Sequence, residues 1–125
     1  MILLDFRDKR PIYEQAAEKL ERLIVGGALE ADSRMPSVRS LAMELGVNPN
    51  TIQRAYSQLE QDGYLYTVTG RGNFVAPESE WRAGKQKKQL EEWRRITESA
   101  REAGLSEEQL RQELHQIYSS AEKCQ

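Results

Sequence analysis

The sequence predicts a mainly α chain of the α+β class, in which three short helices and a β-hairpin precede two longer helices. Three observations predict it. Glycine and proline recur at short intervals through the first 77 residues, which keeps every element there short. Residues 64–76 gather aromatic and β-branched residues around Gly70 and Gly72, the pattern of a hairpin. After Pro77 there is no further proline, and Glu, Gln, Lys and Arg dominate, as they do in exposed helices.

Met1 to Phe6 is a short apolar segment, an edge strand or an N-terminal arm. The first helix begins at Pro11, which suits the first helical position because it has no N–H to leave unpaired. Its apolar residues Ile12, Tyr13, Ala16, Leu20, Leu23 and Ile24 have helical spacing, and Gly26-Gly27 stops it. Ala28 to Pro36 reads as a connector. Ser37 then caps a second helix that turns Val38, Leu41, Ala42 and Leu45 inward. Gly46 ends that helix, and Asn48-Pro49 starts a third at once, Asn as N-cap and Pro in the first turn. Val47 and Ile52 are spaced as a hydrophobic staple. Two helices joined at Gly46-Val47-Asn48 form a helix-turn-helix. The third helix runs to Asp62 and Gly63 closes it, after which residues 64–76 form the hairpin. In the C-terminal part Gly104 breaks the helix, and Ser106-Glu107-Glu108-Gln109 is a capping box with Leu105 and Leu110 as its staple.

Composition removes several kinds of chemistry. The chain has 125 residues, one Cys (Cys124) and one His (His115), too few to build a thiolate–imidazole zinc site or a nucleophile–imidazole pair. Carboxylates alternate with Lys and Arg along helices, which reads as solvated surface, so no catalytic residue, metal site or cofactor is expected. A lone cysteine also fits a reducing compartment. No apolar run approaches the roughly 20 residues of a membrane span, and Met1-Ile2-Leu3-Leu4-Asp5 lacks the features of a signal peptide. A cytoplasmic protein is expected. The net charge of −2 lacks the basic signature of nucleic-acid binding, and residues 34–75 hold only four basic residues against three acids.

The third helix supplies what composition does not. With residue 50 at 0° and steps of about 100°, Ile52, Ala55, Tyr56 and Leu59 cluster near 140–240°. Asn50, Gln53, Arg54, Ser57 and Gln61 gather around 0°. That opposite face has no acid and no large aliphatic residue, only side chains whose donors and acceptors match base edges in the major groove. Asn50, Gln53 and Arg54 lie toward its N-terminus, where a recognition helix reaches deepest. A merely solvated face is the alternative, but Glu60 and Asp62 are held at the far end. Arg39 at the start of the second helix, with Asn48 and Thr51, would anchor phosphates, and Arg34 is a weaker candidate for the same role. The tip Gly70-Arg71-Gly72 offers one cation to a narrow minor groove. It is not a dinucleotide fingerprint, since Val75 stands where a third glycine is needed.

Pro36-Ser37-Val38-Arg39-Ser40-Leu41-Ala42, Gly46 to Tyr56, Leu59 to Leu65 and Gly70 to Val75 resemble the winged-helix domain of the GntR family, without a gap over residues 11–77. The short remainder resembles the YtrA subfamily, whose two C-terminal helices form a dimer. The resemblance implies a dimeric repressor in which Arg39, Asn50, Thr51, Gln53, Arg54, Arg71 and Gly72 contact the operator. It also implies control of a neighbouring transport operon. Some family members carry arginine where Pro49 stands, so the resemblance also implies that one phosphate or base contact is missing here.

Residues 1–77 are therefore expected to form a winged helix-turn-helix DNA-binding domain, with helix 49–62 in the major groove and wing 64–76 at the minor groove. Residues 78–125 are expected to form a helical hairpin for dimerisation. Leu90, Trp93, Ile96, Thr97, Ala100 and Ala103 share one side, and Leu110, Leu114, Ile117, Tyr118 and Ala121 another. One chain cannot bury both stripes, so a homodimer on an inverted-repeat operator follows. Trp81 and Trp93 are read as packing at the dimer seam, with the lining of a ligand pocket as the alternative. Lys85, Lys87 and Lys88 read as a solvated helix start, and His115 as a surface or interface residue. Any small-molecule effector would bind between subunits, and the sequence names none. A protein–protein adaptor without DNA binding is the competing function.

Overall fold

The computed structural model describes residues 2–123. Its elements run α1 (Ile12–Val25), α2 (Val38–Leu45), α3 (Pro49–Gln61), β1 (Leu65–Val68), β2 (Gly72–Val75), α4 (Glu78–Glu102) and α5 (Glu107–Lys123). The expected order of helices and hairpin is the observed one. The chain divides into two compact units, one ending at Lys85 and the other beginning at Gln86. No described helix is long and apolar enough to cross a membrane.

In the first unit α1 and α2 pack on α3, and β1 also packs against α3. Leu20, Leu41, Ile52, Tyr56, Leu59 and Val75 are almost wholly buried among them. The hairpin is antiparallel, with Leu65 opposite Val75, Tyr66 opposite Phe74, Thr67 opposite Asn73 and Val68 opposite Gly72. Tyr66 and Phe74 stack with centroids 5.6 Å apart, a cross-strand aromatic pair of the kind that fixes register.

Three features depart from the expectations, and one alternative left open by the sequence is decided. Pro11 occupies the N-cap position, since its ψ of 146° is extended, and the helix begins at Ile12. Residues 28–36 are more than a connector. The Asp32 N–H donates to Val75 O (2.7 Å), the Val75 N–H to Ser33 O (2.9 Å) and the Met35 N–H to Asn73 O (2.8 Å), so this stretch lies along the free edge of β2. The N-terminal segment, described from Ile2, is an arm rather than a strand. Buried Gln15 holds it: its Oε1 accepts from the Asp5 N–H and its Nε2 donates to Asp5 O and Arg10 O. Trp81, expected at a dimer seam, instead belongs to the core of the first unit, 6% exposed and 5.4 Å from the Tyr64 ring. The first unit therefore extends past Pro77 into α4.

In the second unit the Ser106 box forms as expected, the Ser106 N–H donating to Gln109 Oε1 (2.8 Å) and the Gln109 N–H to Ser106 Oγ (3.2 Å). The part of α4 in this unit and α5 do not pack along their lengths, and their apolar residues stay largely exposed. Cys124 lies outside the described residues.

Candidate nucleic-acid interface

The turn between α2 and α3 is set by backbone chemistry. Gly46 takes φ 69°, a left-handed value that costs a residue with a Cβ. The Val47 N–H then donates back to Ala42 O (3.0 Å) and the Gly46 N–H to Met43 O (3.3 Å), the paired bonds of a Schellman closure. Val47 enters half-buried, and two residues later α3 starts with its first free donor satisfied, the Asn50 N–H donating to Asn48 Oδ1 at 2.8 Å. Ser37 caps α2 likewise, accepting from the Ser40 N–H at 3.0 Å.

This geometry divides α3 as the helical wheel requires. Ile52 and Ala55 are 0% exposed, Tyr56 1% and Leu59 2%, whereas Asn50, Gln53, Arg54, Ser57 and Gln61 are exposed. The Tyr56 hydroxyl donates to Pro36 O (2.8 Å), tying the underside of α3 to the segment that leads into α2. On the outer face Gln53 Nε2 donates to Ser57 Oγ at 3.3 Å. The Arg54 guanidinium lies over the Tyr13 ring, 3.9 Å from its centroid, a contact the sequence reading did not foresee.

The remaining candidates surround this face. Arg39 is exposed in the first turn of α2, Asn48 is exposed at the start of α3, and Thr51 is half-buried. Arg71 stands exposed at the hairpin tip, between Gly70 at φ 79° and Gly72 at φ 113°. Among the described residues Arg34, Arg39 and Arg71 make no ion pair, so their charge is not spent on neighbouring acids. Arg34, the weaker candidate from sequence, is carried to the wing by the backbone pairing with β2. Its Nε lies only 3.4 Å from where a Cβ on Gly72 would sit. Only the long-range pairing reveals that placement.

Of the residues expected at a dimer interface, Leu90, Trp93, Ile96, Leu114, Ile117 and Tyr118 are 47–67% exposed, and Ala100 and Leu110 are half-buried. Thr97, Glu98, Arg101, Leu105, Glu107 and Leu110 line an open groove of about 230 Å³ near the α4–α5 turn. Among the described residues the hydrogen-bond partner of His115 is Ser119, 3.3 Å away, and no described cluster of His, Cys, Asp and Glu could hold a metal.

A helix-turn-helix whose second helix turns a polar, acid-poor face outward, followed by a glycine-tipped hairpin, defines a winged-helix protein. The chain belongs to the gntR family of bacterial regulatory proteins, which matches residues 12–75. It is similar over nearly its whole length to the HTH-type transcriptional repressor YtrA of Bacillus subtilis, 33% identical over 119 residues, covering 94% of this chain and 92% of that one. A solved GntR family transcriptional regulator from Listeria monocytogenes is 31% identical with a TM-score of 0.72, covering 87% of this chain and 96% of that one. AraR(DBD), solved in complex with operator ORE1, is 33% identical with a TM-score of 0.52, covering 61% of this chain and 93% of that one. The chain is a transcription regulator of this family and not an enzyme. The expected winged-helix fold and the likeness to YtrA both hold.

Proposed function

We propose that the chain is a cytoplasmic repressor that binds an inverted-repeat operator in double-stranded DNA as a homodimer. The first unit, which ends at Lys85, would hold the DNA, and the unit that begins at Gln86 would hold the second subunit, with α3 in the major groove and the wing at a neighbouring minor groove. The observation that carries this reading is the division of α3, four residues wholly buried on one side and Asn50, Gln53, Arg54, Ser57 and Gln61 exposed on the other. Support comes from AraR(DBD), a similar protein bound to its operator.

In this reading Asn50, Gln53 and Arg54 meet base edges. Arg39, Asn48 and Thr51 anchor phosphates beside them, and the α2 N-terminus adds its own N–H groups. Arg71 and Gly72 bring the wing to the second groove. The exposed apolar residues Leu90, Trp93, Ile96, Leu114, Ile117 and Tyr118, with Ala100 and Leu110, are covered by a second copy, because so much apolar surface is costly to leave in water. The twofold axis then demands two half-sites about one helical turn apart. Repression of a transport operon belongs to the proposal by family resemblance alone.

Selection of bound duplexes from a random pool tests it. The expected result is a palindromic consensus bound by a dimer. Failure to retard any duplex at about 50 mM salt, where phosphate attraction is strong, would instead favour a protein–protein adaptor.

A further inference from the structure

We infer that Tyr13 is a positioning residue for Arg54: its ring holds the guanidinium at the exposed face of α3, ready for a base edge. The inference rests on the DNA reading of α3 given above. Tyr13 stands in the first turn of α1, half-buried against the helical core, so its ring is placed by α1's packing on α3. Among the described residues its hydroxyl has one long contact, 3.4 Å to Glu14 Oε1, so the apolar ring carries the interaction with Arg54. The guanidinium carbon sits 3.9 Å from the ring centroid, well inside cation–π range.

The choice of an aromatic face matters chemically. A carboxylate partner would consume two of the five guanidinium N–H donors and cancel the charge that attracts DNA. A ring binds the flat face of the cation through its quadrupole and leaves the in-plane donors unspent. Among the described residues Arg54 has no acidic partner, so it keeps its charge and its donor edge while losing rotational freedom. An arginine ordered before DNA arrives forfeits less side-chain entropy on binding, and bidentate contact with a guanine edge needs that order.

The full chain and its Tyr13→Phe, Tyr13→Leu, Arg54→Ala and Tyr13→Leu/Arg54→Ala variants are titrated with three kinds of duplex. These are the duplex selected by the wild type, its single-base-pair variants, and a scrambled duplex. Tyr13→Phe keeps the ring and should stay within about two-fold of wild type. Tyr13→Leu should weaken the selected duplex by about three- to ten-fold, relax preference at the base pair read by Arg54, and spare the scrambled duplex. It should add nothing once Arg54 is alanine. Without DNA, the Arg54 Nε–Hε NMR signal should be shifted by the Tyr13 ring current and move in Tyr13→Leu. Should Tyr13→Leu fail to fold, as circular dichroism would show, Tyr13→Met replaces it.

Loss in Tyr13→Phe, or losses that multiply in the double variant, would mean that Tyr13 meets DNA directly and would overturn the inference. Unchanged base preference in Tyr13→Leu would overturn it too. An Arg54→Ala protein with wild-type affinity and preference would instead defeat the reading of α3 itself.

Discussion

Asn48 caps α3 and, in the proposed function, also faces DNA, and substitution separates the two tasks. Of the first donors of α3, Pro49 has none, the Thr51 N–H goes to Asn48 O at 2.9 Å, and the Asn50 N–H goes to Asn48 Oδ1 at 2.8 Å. Asn48→Ala therefore strands one donor at a helix N-terminus, a loss of about 1 kcal/mol. For a cooperative unit of this size that lowers Tm by roughly 4–8 °C. Asn48→Asp keeps the capping oxygen and adds a negative charge where the helix dipole favours one by about 0.3–1 kcal/mol. Its Tm should equal or exceed that of wild type. The same carboxylate would face phosphates, so affinity for the selected duplex should fall at least about ten-fold at low salt, and by less as salt screens the repulsion. Circular dichroism melts and fluorescence anisotropy measure the two effects separately. An Asn48→Ala protein with unchanged Tm would refute the capping argument, and an Asn48→Asp protein with wild-type affinity would remove Asn48 from the interface.

Gly84 lies within α4, where a Cβ would meet nothing within 4 Å, so Gly84→Ala should stabilise the protein by about 1 kcal/mol. A lower calorimetric Tm would contradict this. Burial pushes the Tyr56 phenol up to about 12 from its ordinary 10.0. Because the folded value is the higher one, its contribution is complete below pH 10 and is lost as pH rises from there through about 12. Denaturant titrations should show that loss. Tyr56→Phe, which forfeits the bond to Pro36 O, should cost about 1 kcal/mol at neutral pH and fall less steeply across the alkaline window. An equal alkaline slope in both proteins would count against a buried phenol. Trp81→Phe leaves Trp93 as the one tryptophan, 54% exposed within its own chain. Its emission should move to the blue, and iodide should quench it less, as protein concentration rises through dimerisation. Emission independent of concentration, with a monomeric mass in sedimentation, would contradict the proposed subunit contact.

Much of this fold is local and therefore legible in sequence. Gly46, Asn48 and Pro49 act within four residues of one another, so turn, cap and restart are written side by side. The Ser106 capping box and the Gly70–Gly72 tip are equally local. The buried face of α3 follows from helical periodicity alone.

Unread features depend on partners distant in the chain. Trp81 stands in a polar stretch typical of exposed helices, and it is buried by joining the core of the first unit beside Tyr64. Gln15 looks like surface on a helical wheel, yet it is 1% exposed because its amide matches the backbone of Asp5 and Arg10. Residues 32–35 are polar but for Met35 and carry no strand signal of their own, and their hydrogen bonds to β2 are made by backbone atoms. The stack of Arg54 on Tyr13 joins residues on two helices, and no spacing rule could announce it.

The most direct test compares Arg39→Ala with Arg54→Ala on the selected duplex, its single-base-pair variants and random DNA across a salt series. Arg39→Ala should weaken every duplex alike and reduce the salt slope by about one. Arg54→Ala should lose about 1–3 kcal/mol at one base pair and leave random DNA nearly unaffected. Indistinguishable losses on every duplex would mean that the exposed side of α3 does not read sequence.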